Sequence, residues 1–96
     1  MSQVEARKAV SEDAPTEPVT APELQVGDVI KAWDGHFYAV DTPPVPSQER
    51  QEYPVPHMAM RVTEMNGDMT QVPNSEKRVV LAQDAVLNVL TPRPGN

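Results

Sequence analysis

The feature of this sequence that most constrains its fold is a pair of β-rich segments separated by a turn dipeptide. Residues 26–33 (VGDVIKAW) and 36–40 (HFYAV) are rich in β-branched and aromatic side chains, and Asp34-Gly35 lies between them. This dipeptide is typical of a type I′ turn, which needs a positive φ at both central residues and matches the twist of paired strands. The pattern predicts a hairpin with strands at residues 28–33 and 36–41. Its expected register pairs Trp33 with His36, Lys31 with Tyr38 and Val29 with Val40.

A second hairpin is predicted around Asn66-Gly67, with strands at residues 58–65 and 68–72. Two further strands are expected at residues 78–81 and 86–90, separated by four residues whose length suits a single 3₁₀ turn. Methionines recur in the second hairpin, where we expect them to fill the core, an adaptable partner-binding surface being the alternative. The sequence therefore predicts a small all-β antiparallel domain of five to six strands over residues 24–90.

Both faces of the first predicted hairpin carry apolar side chains. In the expected register, Trp33 and Tyr38 lie on one face, and Phe37 lies on the other with Ile30. A tightly curved small domain fills its interior with one face and leaves the other outside. Trp33, Phe37 and Tyr38 are therefore candidate partner-binding residues.

Three segments are predicted to lie outside the core. Residues 1–23 are acidic and proline-containing, which is typical of a flexible arm; the alternative is an arm that becomes ordered on a neighbouring subunit or partner. Residues 42–56 form a long proline-rich loop that favours polyproline II, and residues 91–96 form a flexible tail. The loop is either a solvated insertion, a proline-motif ligand or a partner-docking segment. It supplies four more candidate partner-binding residues: Pro43, Pro44, Pro46 and Tyr53.

Charge and composition narrow the expected partners and location. The chain has 96 residues with 8 basic and 14 acidic side chains, a net charge of −6, which disfavours binding to nucleic-acid phosphates. It contains no cysteine, no apolar stretch of signal-peptide length in its first residues and no window that approaches a membrane span. We therefore expect a cytoplasmic or virion-associated protein that does not bind membranes.

No residue pattern in the sequence indicates catalysis. The two histidines, His36 and His57, lie beside a turn and after a proline, where solvated rings are ordinary. The sequence has no glycine-rich phosphate loop, no nucleophile elbow and no metal-ligand spacing. We therefore expect no enzymatic activity, no catalytic residue, no cofactor and no metal site.

Several segments together resemble a known small fold. The phrase Leu24-Gln25-Val26-Gly27-Asp28-Val29-Ile30, two hairpins around a variable loop, and Val79-Val80-Leu81 followed by a short turn and Val86-Leu87-Asn88-Val89-Leu90 resemble the Src-homology-type (SH3-like) small β-barrel and its KOW-like relatives. The chain also resembles short uncharacterised barrel proteins of actinobacteria and their phages, which often begin with Leu-x-x-Gly-Asp-Val-Ile. The likeness covers residues 24–90 without the proline-rich loop. The chain lacks the concentrated basic loops of KOW domains, and it lacks the clustered acidic and aromatic groove of peptide-binding Src-homology domains.

The expected function is a non-enzymatic protein-interaction or structural module, such as a small phage accessory or virion protein acting in decoration or assembly. A folded part of roughly fifty to sixty residues has little net stability of its own, so a protein partner or a homo-oligomer is expected. Two alternatives remain. One is a nucleic-acid-associated barrel that uses Lys77 and Arg78. The other is an acidic inhibitor or DNA mimic, which would need six carboxylates on one face: Asp28, Asp34, Asp41, Glu64, Asp68 and Asp84.

Overall fold

The computed structural model describes residues 13–32, 34–48 and 55–93, which form one antiparallel sheet of seven strands that is not closed. The strands are β1 (Thr16–Thr20), β2 (Val29–Lys31), β3 (Phe37–Val40), β4 (Val45–Ser47), β5 (His57–Met65), β6 (Lys77–Ala82) and β7 (Val86–Leu90). A 3₁₀ helix spans Ala21–Glu23, and these ranges contain no α-helix. The strand order is β1-β7-β2-β3-β5-β4, and β6 also pairs with β5. The predicted all-β antiparallel class is confirmed, with more strands than expected.

β1 corrects the expected extent of the N-terminal arm. This strand lies inside residues 1–23 and pairs with β7 along its whole length, from Thr16 opposite Leu90 to Thr20 opposite Val86. Val19 is buried, and the N–H of Ala21 continues the contact by donating to the carbonyl of Ala85 at 3.0 Å. The sequence of β1 carries little apolar signal because Val19 is the one buried residue among its five. The remaining arm residues, 1–12, lie outside the described residues.

The first hairpin forms where it was predicted, but its register is shifted by one residue. Val29 lies opposite Ala39, and Ile30 lies opposite Tyr38. The N–H of Gly35 donates to the carbonyl of Ala32 at 3.0 Å, and Gly35 has a φ of 84°. These features are typical of a three-residue loop that ends in a left-handed glycine. The Asp34-Gly35 dipeptide is compatible with this loop and with a type I′ turn alike.

The register shift exchanges the faces of the hairpin side chains. Ile30 and Tyr38 lie on one side of the sheet, whereas Phe37 packs on the other side with Val29 and Ala39. The expected pairings of Lys31 with Tyr38 and of Val29 with Val40 are therefore wrong, as is the placement of Phe37 beside Ile30. Trp33 itself lies outside the described residues.

The second predicted hairpin forms the same kind of loop and has only one full strand. The N–H of Met69 donates to the carbonyl of Asn66 at 2.8 Å, and Met69 adopts a left-handed φ of 67°. The strand expected at residues 68–72 is reduced to an isolated bridge between Met65 and Gln71. Asp68 accepts hydrogen bonds from the N–H and the hydroxyl of Thr70, local contacts that compete with ladder formation.

The proline-rich segment also contains a strand, which corrects its expected character as a continuous loop. β4 pairs with residues 57–59 of β5. It lies on the same edge of β5 as β3, which pairs with residues 62–65 of that strand, and β6 occupies the opposite edge. Between β3 and β4 the ladder is interrupted, and the hydroxyl of Thr42 accepts the N–H of Arg61 at 2.9 Å in place of a backbone carbonyl. β4 is an edge strand and therefore tolerates Pro46. Residues 49–54 lie outside the described residues.

The core consists of two clusters, one on each side of the hairpin β2–β3. Cluster A contains Val29, Phe37, Ala39, Met65, Met69 and Leu90. Cluster B contains Val19, Leu24, Ile30, Val40, Met60, Val62 and Val89, with half-buried Tyr38, Val79, Leu81 and Leu87 packed against it. Met60, Met65 and Met69 are buried, so the prediction that methionines fill the core is confirmed for these three.

The phrase Leu24–Ile30 forms a tight turn that leads into β2. The N–H of Asp28 donates to the carbonyl of Gln25 at 3.0 Å, and Gly27 has a φ of 96° at the third position, as a type II turn requires. The Asp28 carboxylate accepts the N–H of Gln25 at 2.8 Å and has no solvent exposure. The phrase therefore fixes a buried carboxylate at the start of the sheet.

Arg93 pairs with this buried carboxylate and corrects the expected C-terminal tail. Its Nε and Nη2 donate to the two carboxylate oxygens of Asp28 at 3.0 and 2.8 Å, and Nη2 also donates to the carbonyl of Glu23 at 2.9 Å. The hydrogen bond to Asp28 is the main cause that raises the pKa of Arg93 above its ordinary value. The N–H of Thr91 donates to the carbonyl of Pro15 at 2.9 Å. Residues 91–93 are thus fixed against the sheet, and residues 94–96 lie outside the described residues.

Candidate functional site

An apolar groove with a volume of about 200 Å³ opens along the side of cluster B. Its base is formed by buried side chains of β2 and β5, and its walls by half-buried side chains of β3, β6 and β7. The lining residues are Ile30, Ala32, Asp34, Tyr38, Met60, Val62, Lys77, Val79, Leu81 and Leu87. Only two of these side chains are charged, so the groove presents an almost continuous apolar surface.

The groove exists because β6 and β7 diverge. β6 pairs with β5, and β7 pairs with β1 and β2; within the described ranges no ladder joins β6 to β7. The chain passes between them in a single turn, in which the N–H of Ala85 donates to the carbonyl of Ala82 at 3.0 Å. The expected 3₁₀ turn at residues 82–85 is this single hydrogen-bonded turn. The apolar side chains of the two strands consequently face each other across an uncovered gap.

Polar groups hold Tyr38 at one end of the groove. The Lys77 ammonium lies 4.6 Å from the centroid of the Tyr38 ring, a cation–π contact. The His36 ring is stacked on Tyr38 with centroids 6.5 Å apart, and its Nδ1 lies 3.1 Å from Oε2 of Glu64. The Tyr38 ring therefore contacts both a cation and an imidazole.

The structure places the predicted aromatic partner-binding residues in different environments. Tyr38 lines the groove, whereas Phe37 is only 7% exposed and packs inside cluster A, so its expected role as a surface anchor is wrong for this register. Trp33 and Tyr53 lie outside the described residues, although Ala32 and Asp34, the neighbours of Trp33 in sequence, both line the groove.

The three prolines are remote from the groove lining. Pro43 and Pro46 are exposed and Pro44 is half-buried, and Pro46 belongs to β4. β4 and β6 lie on opposite edges of β5, because both pair with the same first residues of that strand. The structure therefore does not bring the prolines and Tyr38 into one site.

Sequence reasoning missed the aliphatic residues that make most of the groove. The sequence pattern predicts strands that contain Val79, Leu81 and Leu87 but indicates no surface role for these residues. Their alternation along β6 and β7 was visible in the sequence. What was not visible is that the two strands share no ladder, which leaves these side chains without a covering strand.

The described residues hold no group of three or more histidine, aspartate or glutamate side chains arranged to bind a metal ion. The second histidine, His57, has its Nδ1 2.8 Å from the carbonyl oxygen of Val55. Among the residues searched, no helix has the length and apolar character needed to cross a bilayer.

No protein-family model matches the chain, and neither a curated protein nor a solved structure shows significant similarity to it.

Proposed function

We propose that this chain is a non-enzymatic protein-interaction module that binds an extended segment of a partner protein in the groove between β6 and β7. The observation that carries the proposal is the set of half-buried apolar side chains that face the groove, Tyr38, Val79, Leu81 and Leu87. Apolar surface that remains in contact with water at a fixed concavity is typical of ligand and protein contact sites. A narrow groove accepts side chains of an extended segment better than the flat face of a folded domain.

The proposed fold family is the Src-homology-type barrel in an opened form. The two hairpins and the turn formed by Leu24–Ile30 support this assignment, as does the single-turn connection before β7. The proposed structural or virion-assembly role is one use of such a module, since assembly proteins bind one another through contacts of this kind.

The two alternative functions receive less support from the placement of charges. A DNA mimic needs exposed carboxylates, but Asp28 is fully buried against Arg93, and Asp41 is half-buried and accepts the hydroxyl of Thr63. A nucleic-acid-binding barrel needs free cations, but Lys77 contacts Tyr38 and the chain has a net charge of −6.

The test is a selection of random-sequence peptides displayed on phage, using the full chain as bait. Synthetic copies of enriched peptides are then titrated by fluorescence anisotropy. Leu87→Asp places a charge on the groove wall and is expected to raise the Kd by about tenfold or more. Val86→Asp is the matched control, because Val86 is the preceding residue of β7 and is 61% exposed outside the groove.

The proposal is contradicted if no peptide is enriched, or if Leu87→Asp and Val86→Asp have equal effects on the Kd. Heteronuclear NMR spectra of both variants establish that each remains folded. A groove variant that has lost its fold is replaced by Leu81→Thr, which removes apolar groove surface but places a β-branched residue, favoured in strands, in β6.

A further inference from the structure

We infer that Asn66 is a modification site, at which the side-chain amide converts spontaneously to aspartate and isoaspartate, and that the hydroxyl of Thr70 sets the rate of this conversion. Asn66 is exposed in the loop of the second hairpin, and Gly67 follows it. The second turn dipeptide of the sequence therefore carries a chemical reactivity besides its structural role. This inference concerns the loop and does not depend on the peptide-binding proposal.

The reaction takes place between the Asn66 side chain and the main chain of Gly67. The Gly67 nitrogen attacks Cγ of Asn66, the bond from Cγ to Nδ2 breaks, and ammonia leaves with the proton of the Gly67 N–H. Water then opens the cyclic imide, and the Gly67 nitrogen takes a proton from that water. Addition of the water oxygen at Cγ gives aspartate, whereas its addition at the main-chain carbonyl carbon gives isoaspartate.

The residue that follows each asparagine determines how readily its nitrogen can attack. Gly67 has no Cβ, so its nitrogen is unhindered. The other two described asparagines precede residues with side chains: a serine follows Asn74, and a β-branched valine within β7 follows Asn88. Asn66 is therefore the described asparagine at which the reaction is expected.

Within the loop, the attacking nitrogen has no hydrogen-bond acceptor, whereas the amide that it attacks is held. No described group accepts the N–H of Gly67. The Asn66 amide donates from Nδ2 to the hydroxyl oxygen of Thr70 at 3.0 Å, and that hydroxyl donates to Oδ1 of Asp68 at 2.6 Å. Because turning the amide toward the Gly67 nitrogen takes Nδ2 away from Thr70, this hydroxyl slows the reaction.

Conversion changes the loop and the core beneath it. Either product loses the Nδ2 donor and gains a carboxylate, which competes with Asp68 for the hydroxyl of Thr70. Isoaspartate also lengthens the main chain by its Cβ and removes from the main chain the Asn66 carbonyl that accepts the N–H of Met69. Because the Met69 side chain is buried in cluster A, we expect the isoaspartate form to unfold at a lower urea concentration than the aspartate form.

The experiment incubates the full chain at mildly alkaline pH, which favours attack by an amide nitrogen, and follows conversion at each asparagine by peptide mapping with mass spectrometry. We expect conversion at Asn66 first. Thr70→Val removes the hydroxyl and is expected to raise the rate by about two- to tenfold, the effect of one hydrogen bond. Thr70→Ser keeps a hydroxyl and is the matched control. Gly67→Ala is expected to lower the rate several-fold, and the φ of Gly67 is not positive, so that the loop tolerates alanine.

Hydrogen exchange at the N–H of Met69, measured by NMR in each variant, reports how often the loop opens. The inference is overturned if Asn66 stays unconverted while a synthetic peptide of residues 64–72 is converted, or if Gly67→Ala leaves the rate unchanged. It is also overturned if Thr70→Val and Thr70→Ser convert equally fast. A rate that rises in Thr70→Val only in proportion to the exchange at Met69 overturns it as well, because opening of the whole loop then sets the rate in place of the hydroxyl.

Discussion

At the residue scale, Asp68 shows how one carboxylate shapes the loop of the second hairpin. Its Oδ1 accepts the hydroxyl of Thr70 at 2.6 Å and the N–H of the same residue at 3.1 Å. These hydrogen bonds, the hydroxyl first, lower the pKa of Asp68 below its ordinary value of 3.8. Because the folded pKa lies below the unfolded one, the stabilisation is present above the unfolded pKa and is lost as the pH falls through the folded pKa.

Substitution of Thr70 should reverse part of this shift. Thr70→Val removes the hydroxyl and keeps the backbone N–H, so we expect the pKa of Asp68 to rise toward 3.8 without reaching it. Thr70→Ser keeps a hydroxyl and should leave the pKa low. NMR titration of the side-chain carboxyl carbons between about pH 2 and 6 measures the three proteins, a range that covers the titration of ordinary aspartates. Equal pKa values in all three would contradict the assigned cause.

At the scale of elements, the two hairpins use one loop geometry with different residues at its left-handed position. Gly35 occupies that position in the first hairpin with a φ of 84°, and Met69 occupies it in the second with a φ of 67°. A left-handed backbone costs a residue with a Cβ about 1 kcal/mol or more, a cost that glycine avoids. The Met69 side chain is buried in cluster A, and this packing offsets the backbone strain.

At Met69, the balance of backbone strain and core packing predicts that the glycine variant is more stable than the alanine variant, which is the reverse of the ordinary order. Met69→Ala loses core packing and keeps the strain, and we expect it to lower the free energy of unfolding by about 2–5 kcal/mol. Met69→Gly loses the same packing but relieves the strain, so it should be more stable than Met69→Ala by about 1 kcal/mol. At Met60, a buried residue within β5, the order should be the ordinary one, with alanine more stable than glycine. Urea unfolding of the four variants measures both differences.

The elements also show which features the sequence could reveal. Turn dipeptides located both hairpins because turn chemistry is local, but they left the register open, since glycine serves a two-residue and a three-residue loop equally well. β1 was missed because Val19 is the one buried residue among its five, and its partner lies near the other end of the chain. The groove was missed for a related reason: it depends on which strands pair, and pairing between distant strands leaves no local pattern.

At the scale of the whole molecule, the pair formed by Asp28 and Arg93 joins the C-terminal end of the described chain to the start of β2. Arg93 also contacts the carbonyl of Glu23, so one guanidinium links the last described residues with the turn before β2. We expect Arg93→Ala to lower the free energy of unfolding by about 3–5 kcal/mol, because it leaves a buried carboxylate without its cation. Arg61→Ala, at an exposed arginine of β5, should change it by less than about 0.5 kcal/mol. Chemical denaturation compares them, and similar losses would contradict a special role for the pair.

The pairing of β1 with β7 has a mechanical consequence. Thr16 and Leu90 lie opposite each other at one end of this antiparallel ladder, and Thr20 and Val86 lie at the other. Tension applied between residues 14 and 93 therefore loads the ladder at the Thr16 end and opens its hydrogen bonds one pair after another, instead of shearing them all together. Stretched by its ends, this protein should unzip at low force, and the Arg93 ion pair is the contact that the first pull must break.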